Sequence, residues 1–470
     1  MKRFRSLLVT FALASVGSSM ASPADLLQSG PMLGYSEHRE VLLWAQTKEA
    51  ASVRFEYWET SAPQKRFSTE TAKTEKDHGF TAKLIADQVV PGSEYDYEIL
   101  INDKKVERPY PLHFQTQKIW RYRGDPPDFK VAVGSCLFIN DKPYDRPGRP
   151  YGGNPDILQA IHQKRPDAML WLGDNIYLRE ADWNTRTGIL YRYTHMRSLE
   201  DLQPLLASTH HYAIWDDHDF GPNNADRSFW NKEATWQAFQ DFWGNPCYGV
   251  NGQKGITSTF EWGDAQFFLM DNRYFRTPNY RISEDGAFLG EEQLQWLIDA
   301  LSSSQATFRI VAVGSTVLNP VDSSDNYAAF PAERDRLLRL IRQENIPGVV
   351  FLSGDIHFSE MTSMTRYATY PLYEFTVSPF TSGISNMARN SNNYLRDPSS
   401  VVAEHNFGLL EFSGPTNDRK MKVSFNGRTG EELWSKTISA KELSVTPARS
   451  ENARAPRSRD TATTTPKTGD

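Results

Sequence analysis

Six short apolar runs between residues 129 and 357 each end directly in side chains that bind metals or take part in acid–base chemistry. The residues that follow the runs are, in chain order, Gly134-Ser135-Cys136, Gly173-Asp174-Asn175-Ile176-Tyr177, Asp216-Asp217-His218-Asp219, Asp271-Asn272-Arg273, Gly314-Ser315-Thr316 and Ser353-Gly354-Asp355-Ile356-His357. A single Asp after a strand is ordinarily a turn former or a helix cap. Ligands of α/β proteins, however, bind outside the carboxyl ends of the strands. Together, the six runs therefore predict an α/β fold with one functional site at a sheet edge.

Helical segments alternate with these runs. Asn154-Pro155, with Asn as the cap and Pro in the first turn, predicts a helix that continues to Lys164. Residues 290–301 and 332–343 also have the apolar spacing of helices. The alternation indicates a layered α/β domain, which we predict over residues 128–440.

Residues 30–117 have a different pattern. Segments 41–45, 52–58 and 95–101 resemble half-buried strands, with turn residues and no helical segment between them. Such a pattern is typical of an antiparallel β-sandwich, and the run 91–97 is similar to the late strands of fibronectin type III-like domains. Because this region holds no cluster of catalytic residue types, we expect it to have a packing or positioning role.

The two ends of the chain have compositions of their own. Residues 1–21 combine a basic start, an apolar stretch and Ser19-Met20-Ala21, which predicts a secretory signal peptide; a buried N-terminal strand is the alternative. Residues 446–470 contain almost no large apolar side chains and are predicted to be a disordered tail. No later apolar run reaches about 18 residues, so we predict no transmembrane helix. We expect an exported protein, periplasmic or secreted.

Charge and cysteine content narrow the function further. The 470 residues carry a formal net charge of −6 and contain two cysteines. A disulfide scaffold or a cysteine-rich zinc site is therefore excluded, and a stable nucleic-acid partner is not expected. We expect a monomer. A Cys136–Cys247 disulfide is an alternative in an oxidising compartment, and it would remove Cys136 as a metal ligand.

The carboxylates at the strand ends require a cation. Asp174, Asp217 and Asp355 would repel one another if they met, unless a multivalent cation neutralised them. His357 follows Asp355 by two residues, so both side chains lie on the same side of an extended segment. Oxygen ligands suit calcium, magnesium or manganese, whereas thiolate, phenolate and imidazole suit iron or zinc. The sequence therefore predicts two or more metals of unlike character.

These motifs, in their order, resemble the alkaline phosphatase D (PhoD-like) phosphodiesterase/phosphatase family of the metallophosphoesterase superfamily. The resemblance extends roughly from Phe129 to Trp434. It implies a four-layer αββα metallophosphoesterase-like domain, preceded by a small fibronectin type III-like β-sandwich.

The resemblance also implies a ligand set. Iron(III) would be held by the positions that match Cys136, Asp174, Tyr177 and His357. Asp174 would bridge to a second cation, calcium, which would also bind Asp217 and Asp355. Zinc, manganese or magnesium are the alternatives.

The chain departs from the general superfamily pattern at the second cation. That pattern has Asn at position 217 and His at position 355, so both departures introduce carboxylates and favour a harder cation. The superfamily His expected after the fifth run is replaced by Ser315 and Thr316. The complete ligand set of the second cation therefore stays open.

Other residues are candidates for catalysis and substrate binding. His218 matches the superfamily histidine that assists the leaving group or stabilises the transition state, and Arg273 offers a planar fork that suits phosphate oxygens. Asn223 and Asn224 are further candidate contacts to phosphate. Aromatic and arginine-rich loops between residues 179 and 197 and between 278 and 288 are expected to shape the pocket. Structural roles are the alternatives for Cys136 as a small buried side chain, Tyr177 as a core tyrosine and His218 as a structural histidine.

The resemblance implies an exported metal-dependent phosphoesterase that hydrolyses small-molecule phosphomonoesters or phosphodiesters by attack of metal-bound water or hydroxide. A purple-acid-phosphatase-like phosphatase or nuclease is the first alternative, and it would be favoured by a compact histidine-rich pair that this sequence lacks. A non-catalytic cell-envelope binding protein is the second. In that case the metal residues would be incidental, and Asp174→Asn would leave the function intact.

Overall fold

The computed structural model describes residues 23–279, 281, 286–321, 325–367, 369–386 and 392–444. The predicted signal peptide (1–21) and the predicted tail (446–470) lie outside the described residues. The α-helices within them are α1 (Pro23–Leu26), α2 (Ile157–Gln163), α3 (Arg186–Arg197), α4 (Gln203–Ser208), α5 (Asp217–Phe220), α6 (Lys232–Phe242), α7 (Glu291–Ser303) and α8 (Pro331–Gln343). Short 3-10 helices cover Lys76–His78, Glu200–Leu202, Tyr327–Ala329, Pro398–Ser400, Thr416–Asp418 and Ala440–Leu443.

Within the described ranges, the strands form three sheets. They are β1 (Leu27–Ser36), β2 (Val41–Thr47), β3 (Ser52–Glu59), β4 (Arg66–Ser68), β5 (Ala72–Lys73), β6 (Thr81–Ala86), β7 (Glu94–Ile101), β8 (Lys104–Lys105), β9 (His113–Gln115), β10 (Phe129–Gly134), β11 (Ala168–Leu172), β12 (His210–Ile214), β13 (Ser258–Trp262), β14 (Ala265–Leu269), β15 (Phe308–Ala312), β16 (Val349–Ser353), β17 (Glu360–Met364), β18 (Leu372–Thr376), β19 (Asn406–Ser413), β20 (Lys420–Gly427) and β21 (Glu432–Ser439).

The first sheet has the strand order β21-β20-β19-β10-β11-β12-β1-β2-β6. Its centre is parallel, since β10 pairs with β11, β11 with β12 and β12 with β1. The flanking strands pair antiparallel. Every residue of β11 and β12 is buried, as is typical of parallel strands that are covered on both faces.

The second sheet has the order β13-β14-β15-β16-β18-β17. Strands β14, β15, β16 and β18 are parallel, and β13 and β17 add antiparallel edges. The two sheets pack face to face through aromatic side chains. Tyr212 of β12 stacks on Phe260 of β13 with 3.6 Å between ring centroids, and Phe412 of β19 lies edge-on to Phe308 of β15 at 5.4 Å.

Helices cover the outer faces of this pair of sheets. Phe268 of β14 contacts Trp296 of α7 with 6.3 Å between ring centroids, whereas its neighbour Phe267 faces β19 of the first sheet. This alternation follows from the two-residue period of a strand. On the first sheet, Phe242 of α6 packs on Trp44 of β2 at 5.9 Å. The predicted mixed α/β fold is confirmed.

The third sheet is antiparallel, with the order β4-β3-β7-β8 and with β5 and β9 paired to β3 and β7. The fibronectin type III-like sandwich is not confirmed, because β1, β2 and β6 of this region continue the first sheet. The connecting register pairs Leu33 with His210 in parallel, a long-range pairing that local alternation does not encode. The boundaries at 30–117 and 128–440 stay predictions.

In the part of the chain that the structure describes, no helix has both the length and the hydropathy needed to cross a membrane.

Candidate metal centre

Sharp turns after the parallel strands position the predicted ligands. Cys136 follows β10, Asp174 follows β11, and Asp355 and His357 follow β16. All four have left-handed backbone conformations, with φ of 61°, 51°, 74° and 60° respectively. Such conformations cost about 1–3 kcal/mol for residues other than glycine, and they concentrate at functional sites. The four left-handed conformations are therefore consistent with a functional role for these turns.

A first donor group contains Cys136, Asp174 and His357, each with one ligand atom within 4.8 Å of the others. Tyr177 joins this group because its hydroxyl donates to Asp174 Oδ2 at 3.1 Å and lies 3.3 Å from His357 Nε2. The Cys136 thiol lies 3.6 Å from Asp174 Oδ2. The structure thus brings together the four residues predicted to hold iron.

A second donor group contains Asp174, Asp217 and His218, again with ligand atoms within 4.8 Å. The backbone N–H of His218 donates to Asp217 Oδ1 at 2.9 Å and to Asp174 Oδ1 at 3.3 Å. Asp355 belongs to neither group, although its backbone carbonyl accepts from the Cys136 thiol at 3.7 Å. Asp174 is therefore shared by two groups, one of which contains sulfur and one of which does not.

The electrostatics of the two groups fit bound cations. Burial, together with the charges of Asp217 and Asp216, raises the pKa of the Asp174 carboxyl well above its ordinary value. Burial, with Asp174 beside it, also raises the pKa of the Cys136 thiol. Burial lowers the pKa of His357 to about 4, which keeps its imidazole neutral and able to act as a ligand. A cation would relieve the repulsion that accompanies ionisation of the carboxyls.

Neighbouring side chains orient the first group, and the sequence reasoning missed them. Tyr151 Oη lies 3.0 Å from His357 Nδ1, which leaves Nε2 on the side of Tyr177. Ser378 donates its hydroxyl to the Cys136 sulfur at 3.2 Å. Ser378 follows the apolar strand β18, so the strand-end rule could have found it. Tyr151 lies in a loop without any such signal.

Arg273 lies behind the donor groups. Its guanidinium is wholly buried and donates from Nε to Asp216 Oδ1 at 2.5 Å and from Nη2 to Asp325 Oδ1 at 2.7 Å. Arg276 also pairs with Asp325, at 3.4 Å. The predicted contact between Arg273 and substrate stays a prediction. Burial raises the pKa of Asp355, and the charge of Asp325 adds to this shift. Asp325 follows no apolar run, so the sequence pattern did not indicate it.

A cleft of about 690 Å³ opens beside the metal centre. Tyr177, His218 and Asn223 line it. Asn224 instead contributes its backbone N–H, which donates to Asp217 Oδ2 at 2.6 Å. The His218 ring packs on Tyr177 with 4.3 Å between centroids, and burial lowers its pKa despite the charge of Asp217. Its buried Nδ1 has no hydrogen-bond partner within the described ranges.

Both cysteines are free thiols, so the alternative Cys136–Cys247 disulfide is not formed. Cys136 is buried and Cys247 is exposed. The Cys247 sulfur lies 3.3 Å from Ser258 Oγ, at the beginning of β13. Cys136 is therefore available as a ligand.

Two solved structures share this fold. The structure of PhoD matches with a TM-score of 0.71 and 18% sequence identity, and the match covers 90% of each chain. Purple acid phosphatase PPD1 from yellow lupin (Lupinus luteus) seeds matches with a TM-score of 0.64 and 13% identity, covering 88% of this chain and 76% of that one. At these identities the likeness concerns the fold alone, which is the α/β fold of PhoD and of purple acid phosphatase.

Sequence comparison then identifies the family. The sequence model of the PhoD-like phosphatase family matches residues 147–417, more than half of the chain. Alkaline phosphatase D of Bacillus subtilis (strain 168) is 27% identical over 364 residues, which cover 66% of this chain and 59% of that protein's length. The chain belongs to the PhoD-like phosphatase family, as its motifs predicted. A domain of unknown function (DUF7800) matches residues 24–119.

Proposed function

We propose that this chain is an exported, metal-dependent phosphoesterase that hydrolyses phosphomonoesters or phosphodiesters of small molecules. Membership of the PhoD-like phosphatase family supports the reaction class. The main structural support for the proposal is that Asp174 belongs to both donor groups. The first group contains a thiol, and the second contains only carboxylates and an imidazole. A bridging carboxylate between unlike donor groups suits two neighbouring cations.

The donor chemistry supports an assignment of the two cations. Cys136, Asp174, Tyr177 and His357 would hold iron(III), because thiolate, phenolate and imidazole suit a softer or borderline metal. Asp174, Asp217 and Asp355 would hold calcium, a hard cation that takes oxygen ligands. Zinc, manganese and magnesium are the alternatives that metal analysis distinguishes. When bound, such cations supply Lewis acidity toward a phosphate ester and the water that attacks it.

The chain's own residues position the groups and move the proton. In the hydrolysis, a P–O bond to water forms, the P–O bond to the leaving group breaks, and the leaving oxygen takes up a proton. We assign that proton to the His218 ring, which lines the cleft and whose Nδ1 has no partner in the described part of the chain. Burial lowers the pKa of this ring, and the charges of Asp217 and Asp325 oppose that shift and favour the protonated form. The side chain of Asn223, at the cleft surface, would contact the phosphate, while the N–H of Asn224 holds Asp217.

Arg273 contributes through the carboxylates that it binds. Its ion pairs with Asp216 and Asp325 fix two acids beside the metal centre. The guanidinium is wholly buried, and its Nη1, which neither acid binds, lies 3.4 Å from the Ala225 carbonyl oxygen, so a direct contact with the substrate phosphate would require this region to rearrange. We therefore propose that Arg273 first positions these carboxylates, and that its field helps to stabilise charge in the transition state.

The test compares two aspartates of different environment. Asp174→Asn removes the shared ligand, whereas Asp299→Asn changes an exposed residue of α7. We expect Asp174→Asn to lower hydrolysis of p-nitrophenyl phosphate and bis-p-nitrophenyl phosphate by about 100-fold or more, because metals contribute several kcal/mol to the transition state. Asp299→Asn should retain wild-type rates. A wild-type protein inactive on both esters with iron, calcium, zinc, manganese or magnesium restored would contradict the proposal and favour a non-catalytic cell-envelope binding protein.

Export has a separate test. Cleavage after the small residues that end the predicted signal peptide would leave a mature chain that begins at Ser22. N-terminal sequencing of protein recovered from the periplasm or the medium should find this residue first. A mature protein that retains Met1 would contradict export by this route.

A further inference from the structure

We propose that three arginines of the cleft, Arg146, Arg149 and Arg179, bind a second phosphate that is carried by the leaving group of the substrate. We call these residues the arginine cluster. The proposal rests on the proposed phosphoesterase function and names the class of substrate, a phosphate ester whose leaving group is itself phosphorylated.

The position of the arginine cluster is the first argument. Its three residues line the same cleft as Tyr177 and His218 of the metal centre. The cleft volume of about 690 Å³ lies within the range of small-molecule sites and far exceeds the volume that one phosphate needs. A molecule whose ester phosphate lies at the metal donors therefore extends along a wall that carries guanidinium groups.

The hydrogen-bonding state of the cluster is the second argument. The Arg179 side chain is only 11% exposed, and its Nε is buried with no hydrogen-bond partner among the described residues. Its guanidinium lies over the Phe138 ring, 5.8 Å from the centroid. A buried donor without a partner is costly. Arg149 is exposed at the cleft, and within the described residues no acid lies within ion-pair distance of it. The cluster therefore has unused donors.

The acidic neighbours do not neutralise the cluster. Asp145 Oδ1 lies 4.0 Å from Arg179 Nε and 3.8 Å from Nη1 of the buried Arg192, so this carboxylate is divided between two arginines. Glu180 lies 3.2 Å from Arg146 Nη2 and 3.8 Å from Arg179 Nη2, but the side chains of Glu180 and Arg146 are mostly exposed. A solvent-exposed pair is weak and exchanges readily. A phosphate in the cleft can replace Glu180 as the partner of Arg146.

The chemistry of guanidinium selects phosphate over other anions. An arginine presents a planar fork of donors that binds two phosphate oxygens at once. A phosphate monoester carries nearly two negative charges and three acceptor oxygens, whereas a carboxylate carries one charge and two oxygens. Three arginines around one cleft therefore match a second phosphate better than a carboxylate.

The experiment uses matched pairs of substrates with the full-length, metal-loaded protein. Fructose 1,6-bisphosphate is compared with fructose 6-phosphate, and 3-phosphoglycerate with glycerol 3-phosphate, by release of inorganic phosphate. Arg149→Ala and the double variant of Arg146 and Arg179 to Ala are compared with Arg339→Ala, which changes an exposed arginine of α8 outside the cleft. Glu180→Gln removes the competing acid.

We expect wild-type kcat/KM to be at least tenfold higher for the bisphosphate than for fructose 6-phosphate, and to differ less within the carboxylate pair. Arg149→Ala should lower kcat/KM for the bisphosphate about tenfold and for fructose 6-phosphate less than threefold. The double variant should show a larger difference, and Glu180→Gln should raise the bisphosphate preference about twofold. Arg339→Ala should change neither value. Equal losses on both sugars, or no loss on either, would overturn the proposal.

Calorimetric binding of fructose 1,6-bisphosphate separates this proposal from the proposed function. If the protein hydrolyses no ester but binds the bisphosphate, and Arg149→Ala lowers that affinity about tenfold, the phosphate site is supported and the phosphoesterase function is contradicted. If it hydrolyses p-nitrophenyl phosphate but binds the bisphosphate equally well with and without Arg149, the function stands and the phosphate site fails. A higher kcat/KM for 3-phosphoglycerate than for the bisphosphate would indicate that the arginine cluster binds a carboxylate and not a second phosphate, which would contradict the proposal.

Discussion

Strand β10 has a cluster that contains acidic side chains near each of its ends, and the two clusters are built in opposite ways. At the amino end, the buried Asp264 and the exposed Asp128 meet the wholly buried guanidinium of Arg419. At the carboxyl end, Cys136 meets Asp174 and the other donors of the metal centre. Both clusters include carboxylates, but only the first includes a side chain whose positive charge matches them.

The amino-end cluster is closed. Arg419 donates to Asp264 at 3.0 Å, to Asp128 at 2.8 Å and to the carbonyl oxygens of Gly414 and Pro127 at 2.9 and 2.5 Å. All three guanidinium nitrogens are therefore used. Such a cluster joins the beginnings of β10, β14 and β20 and leaves no donor for a ligand, so its role is structural.

The carboxyl-end cluster is open. Within the described residues, Asp174 accepts from a thiol, a phenol and a backbone N–H but from no lysine or arginine side chain. Its raised pKa shows that the protein does not itself stabilise the ionised form. At these two clusters, the buried acid whose counter-charge the chain supplies has a structural role, and the buried acid without one lies in the proposed metal site.

The first prediction removes the positive charge of the amino-end cluster. Arg419→Met leaves the buried Asp264 without its partner, so we expect the free energy of unfolding to fall by about 3–5 kcal/mol. Urea unfolding measures this change. Lys420→Ala, which breaks only the exposed pair with Asp418, should cost at most about 1 kcal/mol. A similar decrease in the free energy of unfolding for both variants would show that the Arg419 cluster stabilises the fold no more than an exposed ion pair does.

The second prediction is that the stability of the fold falls at acidic pH, because two histidines at the beginning of β12 are buried in their neutral forms. His211 accepts from Trp171 Nε1 at 2.9 Å and donates from Nε2 to the Leu205 carbonyl at 3.1 Å, which fixes the neutral form. Burial lowers its pKa to about 3, and that of His210 to about 4. The unfolded chain binds these protons below pH 6.5, whereas the folded chain does not. Stability should therefore be full above pH 6.5 and fall toward pH 4, by up to about 1.4 kcal/mol per pH unit for each histidine.

Denaturant unfolding between pH 7 and pH 4.5 checks this slope. His211→Gln keeps an acceptor and a donor but does not titrate, so its slope should be smaller than that of the wild-type protein. The exposed His38 provides the matched control, and His38→Gln should leave the slope unchanged. A wild-type slope that His211→Gln does not reduce would contradict the assignment.

The smallest expected effect concerns a side chain that orients a ligand of the metal centre. Tyr151→Phe removes the hydroxyl that lies 3.0 Å from His357 Nδ1 and leaves the aromatic ring. We expect about tenfold weaker metal retention, because partners of this kind orient ligand imidazoles. Competition with a chelator measures the affinity. Tyr144→Phe, at an exposed tyrosine of the same loop, should retain metal as the wild-type protein does, and an equal result for both variants would remove Tyr151 from the site.

The sequence predicted the open end better than the closed one. Cys136, Asp174 and His357 follow apolar strands directly, so a local pattern was enough to bring them to one edge. Arg419 and Asp264 are far apart in the chain and follow no such pattern. The same limit applies to Asp325 and to the pairing of β1 with β12, since both depend on long-range register. Arg273 also follows a strand, but its burial depends on acids that only the fold brings near.

The most direct test of the account combines metal content with stability at the open end. We predict that the purified wild-type protein contains metal and that removing the metal with a chelator lowers its unfolding free energy, by about 2.7 kcal/mol where the free metal had been 100 times its Kd. Asp174→Asn should contain less metal, show no response to the chelator and unfold at least as late as the chelated wild-type protein, because the amide is neutral and needs no cation beside the neighbouring acids. A wild-type protein without metal and without response to chelation, or an Asp174→Asn variant that unfolds earlier than the chelated wild-type protein, would contradict the central claim.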